Sequence, residues 1–388
     1  MTSSRPAVKP AGRRILVRGV NWLGDAVITA PALQRLREAL PDSHITLLTH
    51  QKLSSLWQDH PSLDAIITFS SGESLWSVAG RLRAGGFETA LVLPNSPRSA
   101  LEVWLARIPR RIGCARRWRN WFLTQTVAPR SGLSRIAKRS VNDVNRLIRP
   151  PADSPPPATR HAPSRTIHQI HDYLHLAAAL GANPEPLPPK LEISAVEIRQ
   201  AEDTFFSDTC PKAQGIAPGQ PLILLGLNPG AEYGPAKRWP AASFAAVARD
   251  VSRRHGNSLW LAFGGAGDWA LCDEVARLAG GGVLNLAGKT SLRQLMALLK
   301  LCRVVLTNDT GPMHVAAALG TPVVVPFGST SPELTGPGLP GDPRHQLLRS
   351  AVPCSPCFRR VCPIDFRCMT SISPERVVAA VQAVLAPE

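Results

Sequence analysis

Short apolar runs rich in β-branched residues alternate with amphipathic stretches over most of this chain. The pattern predicts strands at Ile15–Val20, His44–Thr49, Ala65–Phe69 and Thr89–Leu93. Helices are predicted at Ala26–Leu40, with Pro31 as an early interruption, and at Leu75–Ala84. The alternation lapses at 150–163, PPADSPPPATRHAP, a low-complexity stretch unable to bury a core and read as a surface insert. A helix over Ile167–Leu180 precedes a second Pro-rich break at 181–190, and the alternation then restarts. Strands are predicted at Pro221–Leu227, Ser258–Phe263, Val283–Leu286, Arg303–Thr307 and Pro322–Phe327. The helices between them are Ser243–Arg254, Asp268–Leu278, Leu292–Lys300 and Pro312–Leu319, and an amphipathic helix at Pro374–Leu385 closes the chain. Strands alternating with helices at this spacing imply βαβ units on parallel sheets. The expected organisation is a disordered tail at 1–14, one doubly wound domain at 15–185, a second at 190–373 and a terminal helical segment at 374–388.

Composition narrows the class. A length of 388 residues suits two domains, and 44% hydrophobic with 19% charged residues describes a foldable globular chain. No apolar run reaches the ~18 residues of a spanning helix. The apolar stretch Ile15–Leu33 is broken by Arg18 and Asp25 and lacks a small-residue cleavage pattern, so it does not read as a signal peptide. A cytoplasmic protein is expected, with its eight cysteines as thiols or metal ligands.

Charge adds a direction. The formal net charge is +16, and the segment Arg98–Arg165 alone holds 15 Lys and Arg against Glu102, Asp143 and Asp153. Such a block implies an anionic partner: nucleic acid, an anionic membrane surface or a phosphorylated substrate. A basic face that is merely solvated is the plain alternative.

In open α/β sheets, ligands collect beyond the carboxyl ends of the strands. Four predicted strand ends carry chemistry. After the first strand, Gly24 permits a tight turn and Asp25 sits where the next helix begins, as a helix cap or as a carboxylate base. In Asn228–Pro240, two glycines with Pro229 and Pro235 shape a loop that delivers Lys237 and Arg238, a pair suited to phosphate or to solvent. Phe263–Asp268 is a glycine-rich turn ending in Asp268, which caps a helix or meets a ligand. In Thr307–His314, Asp309 or Thr310 caps a helix and Gly311 bares its amides. His314 lies in the first turn, an arrangement that suits an anion as well as a structural histidine. The sequence holds no Asp-x-Asp pair to clamp a divalent cation on a diphosphate, so helix N-termini and Lys237 are expected to neutralise phosphates without a metal.

Four segments then combine: NWLGDAVITAPALQRL (21–36), LPNSPRSALEVWLARIPRRIG (93–113), NPGAEYGPAKRWP (228–240) and TNDTGPMHVAAALGTPVV (307–324). In this order they resemble the bacterial lipopolysaccharide heptosyltransferases of glycosyltransferase family 9, most closely the members that add the second heptose. The resemblance implies a GT-B fold, two Rossmann-like doubly wound domains facing a central cleft. It implies inverting transfer of L-glycero-D-manno-heptose from ADP-heptose to an inner-core heptose on Kdo-lipid A, without cofactor. Asp25 matches the family's catalytic aspartate in its Leu-Gly-Asp motif. Lys237, Asp309, Thr310, Gly311 and His314 match its donor site, to which Glu232 and Asp268 are added here from the neighbouring loops. Asn95, Ser96 and Arg98 match the acceptor-side loop, and Arg116, Arg117 and Arg119 are the arginines expected to meet an anionic acceptor at the inner membrane. Trp118 and Trp121 are candidate interfacial anchors there. The insert at 150–163 and the arginine density after Arg107 depart from the family pattern.

Two further readings stand beside this one. A related transferase could act at another core position, and a non-catalytic nucleic-acid module would explain the charge but not the four loaded strand ends. Finally, Cys354, Cys357, Cys362 and Cys368 permit a thiolate metal site, against plain thiols in a structural loop.

Overall fold

The computed structural model describes residues 13–130, 138–148, 167–206 and 222–386. The tail at 1–12 and the Pro-rich stretch at 150–163 lie outside them. Two compact units emerge, the described residues of Met1–Leu133 with His168–Glu192, and those of Ser134–Ile167 with Ile193–Glu388. The division near 192 follows the second Pro-rich break. The helix Val141–Ile148, however, belongs with the second unit, where Val144 packs against Cys354 and Cys357. The expected first domain, 15–185, had included it.

The first unit is a six-stranded sheet: β1 (Arg14–Arg18), β2 (His44–His50), β3 (Ala65–Phe69), β4 (Thr89–Val92), β5 (Arg110–Cys114) and β6 (Gln125–Val127). All pairs are parallel, in the order β3-β2-β1-β4-β5-β6. The second unit repeats the plan with β7 (Ile223–Asn228), β8 (Ser258–Ala262), β9 (Val283–Asn285), β10 (Val305–Thr307), β11 (Val323–Phe327) and β12 (Gln346–Arg349). Its order is β12-β11-β10-β7-β8-β9, again all parallel. Strand order therefore reverses between β1 and β4 in one sheet and between β7 and β10 in the other. Crossovers leave in opposite directions at those two places, which opens a crevice at the carboxyl ends.

Apolar runs become central strands because helices cover both faces. Ile15, Leu16 and Val17 are buried on β1, as are Val323, Val324 and Val325 on β11. The second core gathers Trp239, Phe244 and Trp260 with Val377 and Val381 of the closing helix Pro374–Leu385. Pro31 does not interrupt the first helix, which runs unbroken over Leu23–Ala39. β5 and the helix Pro97–Leu105 are among the elements absent from the sequence reading. β5 carries Arg110 and Arg111, whose guanidiniums donate to Gln125 and to the Phe122 carbonyl at 2.8 Å and so remain compatible with a strand. The helix Pro97–Leu105 is capped by Ser96, which accepts from the Ser99 amide.

One buried ion pair sits beside the first reversal. Arg18, the last residue of β1, donates from Nε to Glu102 Oε2 at 2.8 Å, and both side chains are almost wholly buried. Phe69 stacks under the guanidinium, 4.4 Å from its carbon, and Nη1 reaches the Gly19 carbonyl and Asn21 Oδ1. The pair thus ties the helix Pro97–Leu105 to the turn that follows β1. Truncating one member strands the other charge in the interior, which costs about 3–5 kcal/mol. Glu102→Ala is expected to lower the unfolding free energy by that amount in urea denaturation. A loss below about 1 kcal/mol would show that water reaches the pair.

Candidate functional site

The second reversal places two loops side by side. Thr307 on β10 pairs with Asn228 on β7, so the 229–240 loop and the 308–310 turn leave adjacent strand ends. Asn308, fully buried, joins them: its Nδ2 donates to the Pro229 carbonyl at 2.8 Å, and its Oδ1 accepts from the Trp239 amide at 3.0 Å. That clasp holds the loop so that Lys237 reaches inward. Lys237 Nζ lies 2.6 Å from Asp309 Oδ2 and 3.2 Å from the Asp309 carbonyl, while Thr330 Oγ1 donates to the same carboxylate oxygen. The pair is mostly buried, with the lysine side chain 13% exposed and the aspartate 4%. Asp309 therefore neutralises and aims the ammonium.

The helix Gly311–Ala318 starts beside it. Thr310 is its N-cap but makes no capping bond with its own side chain, and Pro312 removes one donor. His314 follows in the first turn and is buried. A positive helix end and a part-buried lysine converge here, the arrangement that binds phosphate oxygens. Asp268 occupies the neighbouring strand end. Its Oδ2 accepts from the Gly265 amide at 3.1 Å, and Arg238 lies 3.9 Å away. A Cβ on Gly230 or Gly264 would fall within 2.7 Å of the Asp268 side chain, so only glycine admits that carboxylate between the two loops. Glu232 is exposed on the loop between them.

In the first unit, the turn after β1 leads straight into the helix Leu23–Ala39. Its N-cap is Trp22, which makes no capping bond, and Asp25 stands in the first turn. Asp25 is thus the third residue of the helix rather than the N-cap residue itself. A first-turn carboxylate is favoured by the helix dipole. Asp25 is partly exposed and lies close enough to Tyr173 that its charge helps burial push that phenol's pKa up.

These observations meet independent comparisons. The model of glycosyltransferase family 9 (heptosyltransferase) matches residues 145–366. Lipopolysaccharide heptosyltransferase 2 of Salmonella typhimurium is 31% identical, over 84% of this chain and 85% of that protein. Lipooligosaccharide heptosyltransferase 2 of Haemophilus ducreyi is 30% identical, over 84% and 86%. The chain belongs to glycosyltransferase family 9. The structure of E. coli ADP-heptose lps heptosyltransferase II superposes with a TM-score of 0.71 at 24% identity, covering 96% of this chain and 98% of that one. The two Rossmann-like sheets of this glycosyltransferase are accordingly a GT-B fold.

The acceptor-side expectations divide in this family member. Asn95 is exposed after β4, and Ser96 spends its hydroxyl on the helix cap. Arg98 is tied back, with Nε 3.2 Å from Glu102 Oε1 and Nη2 on the Glu73 carbonyl at 2.7 Å. Arg116 and Arg117 are exposed. Arg119 departs from the expected surface contact: its side chain is buried and donates to the Cys114 carbonyl at 3.0 Å and to Asn95 Oδ1 at 3.4 Å. Arg110 and Arg111 likewise serve the sheet edge, and burial lowers the pKa of both Arg111 and Arg119. Among the described residues, no group of three or more His, Cys, Asp or Glu is placed to hold a metal ion, the four C-terminal cysteines included. Sequence reasoning missed Asn308 and Thr330. The first was visible inside its own motif, and the second is a plain Thr-Ser turn with no signal.

Removing Asn308 leaves the Trp239 amide and the Pro229 carbonyl without a side-chain partner, at about 1–3 kcal/mol for each buried group. Asn308→Ala is therefore expected to lower stability by about 2–4 kcal/mol in denaturant titration. A change under about 0.5 kcal/mol would mean that the loops hold together without the clasp.

Proposed function

We propose that this glycosyltransferase moves L-glycero-D-manno-heptose from ADP-heptose onto an inner-core heptose of lipopolysaccharide, the second heptose addition. The carrying observation is the pairing of Lys237 with Asp309 at the head of the helix Gly311–Ala318. Relatives named heptosyltransferase 2, near 30% identical over most of the chain, support the acceptor assignment.

The chemistry follows from charge development. As the glycosidic bond to ADP breaks, negative charge grows on the leaving diphosphate. Lys237 and the amides that follow Thr310 meet it, and His314 adds a contact from the same turn. Inversion needs a base on the opposite face of the anomeric carbon. A sugar hydroxyl is a very weak acid, so Asp25 takes its proton only as the new C–O bond forms. Positive character on the heptose is tolerated beside that carboxylate. The two sheets then divide the labour, the first holding the acceptor near Asp25 and the second holding the donor. With Lys237 and a helix N-terminus facing the phosphates, no divalent cation is needed. Glu232 stands at the rim of the donor loop, and Asp268 acts on the donor through the loop it braces.

Mass spectrometry of products from ADP-heptose and defined truncated cores tests the reading. One added heptose on a mono-heptosylated acceptor is expected, unchanged by EDTA, and about 10²–10⁴-fold slower for Asp25→Asn with ADP binding retained. Transfer to the unheptosylated acceptor, a strict metal requirement or turnover of Asp25→Asn within threefold of the parent would each remove the corresponding part.

The acceptor is anchored in lipid, and we infer that the first unit rests against the cytoplasmic face of the inner membrane. Trp118 and Trp121 are 75% and 83% exposed beside Arg116 and Arg117. Trp118 also holds φ +69°, a conformation unfavourable for a bulky residue. Aromatic rings with arginines suit an anionic lipid interface. Sedimentation with vesicles containing phosphatidylglycerol should fall several-fold for Trp118→Ala/Trp121→Ala and again with salt. Equal sedimentation of parent and variant would exclude this face.

A further inference from the structure

The loop that carries Lys237 does not stand alone. A strap at 357–360, from the cysteine-rich segment, is bolted to it within the same unit. Tyr233 donates its hydroxyl to the Phe358 carbonyl at 2.9 Å, and the Ala236 amide donates to the Arg360 carbonyl at 3.0 Å. Gly234 adopts φ +148°, and a Cβ there would lie 2.5 Å from the Arg360 carbonyl oxygen, so a side chain would push the strap away. From the other side, the amides of Cys357 and Phe358 both donate to the Ser329 carbonyl, at 3.1 and 2.7 Å. Thr330, the next residue, is the one that holds Asp309. Phe358 itself takes φ +54°, a strained value that these bonds impose.

This framework brings two cations to one ring. Lys237 Nζ lies 4.9 Å from the Tyr233 centroid and the Arg360 guanidinium carbon 5.2 Å from it, so the two charges are at most about 10 Å apart. Lys237 has Asp309 as counter-ion, whereas Arg360 is exposed and has no carboxylate in ion-pair range among the described residues. Two cations and one carboxylate leave a surplus of positive charge on a rigid platform. Holding like charges together costs free energy, which an arriving polyanion returns.

We propose that Arg360 is a second cationic contact for the diphosphate of the nucleotide-sugar donor, with Tyr233 as the positioning residue that sets it beside Lys237. The inference rests on the reading that Lys237 meets the donor phosphates. It also accounts for the cysteine-rich segment. Cys354, Cys357 and Cys368 are buried, Cys362 Sγ accepts from the Phe366 amide, and their folded loop presents the strap.

Calorimetry of the full chain with ADP, and with adenosine as the probe lacking phosphate, decides it. Arg360→Gln should weaken ADP about tenfold, as expected for losing a charge-assisted phosphate contact, and adenosine less than twofold. Arg360→Lys should recover part of the loss, and the slope of ADP affinity against salt should flatten in the glutamine variant. Tyr233→Leu should reproduce the ADP defect, while Tyr233→Phe, which keeps the ring, should be milder. ADP affinity within twofold of the parent in Arg360→Gln, or an equal loss for adenosine, would overturn the proposal. Should the parent bind UDP and not ADP, the donor assignment fails, and the same comparison made with UDP still decides the role of Arg360.

Discussion

A parallel sheet whose strand order reverses has one place where its crossovers diverge, and both units of this protein are organised around that constraint. In the first, the reversal lies between β1 and β4, and in the second between β7 and β10. The turn leading to Asp25 and the loop with Asn95 leave the first pair of strands. The Lys237 loop and the Asp309 turn leave the second. Because every strand points the same way, the reactive side chains arrive on loops at carboxyl ends, on a scaffold of buried Val, Ile and Leu that need not move.

Each reversal is reinforced by a buried ion pair, and the two pairs differ in what they leave open. Arg18 and Glu102 are closed on all sides by Phe69, Asn21 and Arg98, so their charge is spent on fixing the turn after β1. Lys237 and Asp309 are closed below, by Thr330 and the 308–310 backbone, with the lysine still partly reachable. A lysine that is paired yet accessible can exchange or share its counter-ion with a phosphate at little cost, since the site stays neutralised in either state. The arginine block divides likewise into guanidiniums bonded within the fold and guanidiniums left at the surface. Arg110, Arg111 and Arg119 bond to the Gln125 side chain and to the Phe122 and Cys114 carbonyls, while Arg116 and Arg117 face solvent.

Much of this was legible before any coordinates. Leu75–Ala84 and Pro374–Leu385 fall where the apolar period puts them, because their burial follows that period, and Ala65–Phe69 falls where its β-branched run puts it. Of the four loaded strand ends, those with Lys237, Asp268 and Asp309 stand side by side in the second unit, and the one with Asp25 belongs to the first. What escaped is of three kinds. β5 and β12 are strands whose Arg and Gln side chains disguise the apolar signal, since long polar side chains can lay their stems along the sheet and carry their polar ends to acceptors. The helix Pro97–Leu105 announced itself through Ser96 and Pro97, a cap and a first-turn proline, but sits in an arginine-rich stretch that drew attention to charge. The contacts of Tyr233 with Phe358 and Arg360 span more than a hundred residues and depend on a strap with no periodicity, so no local pattern could reveal them. Burial of Arg119 is of that kind too, because a guanidinium reads as surface until its acceptors are known.

The second reversal is proposed as the seat of the nucleotide diphosphate. A crystal structure of the full chain soaked with ADP tests this most directly. The account predicts phosphate oxygens within hydrogen-bond distance of Lys237 Nζ and of the amides that open the helix Gly311–Ala318, with Asp309 still accepting from Thr330. Density for ADP away from the carboxyl ends of β7 and β10, with Lys237 left on Asp309 and no phosphate near it, would contradict it.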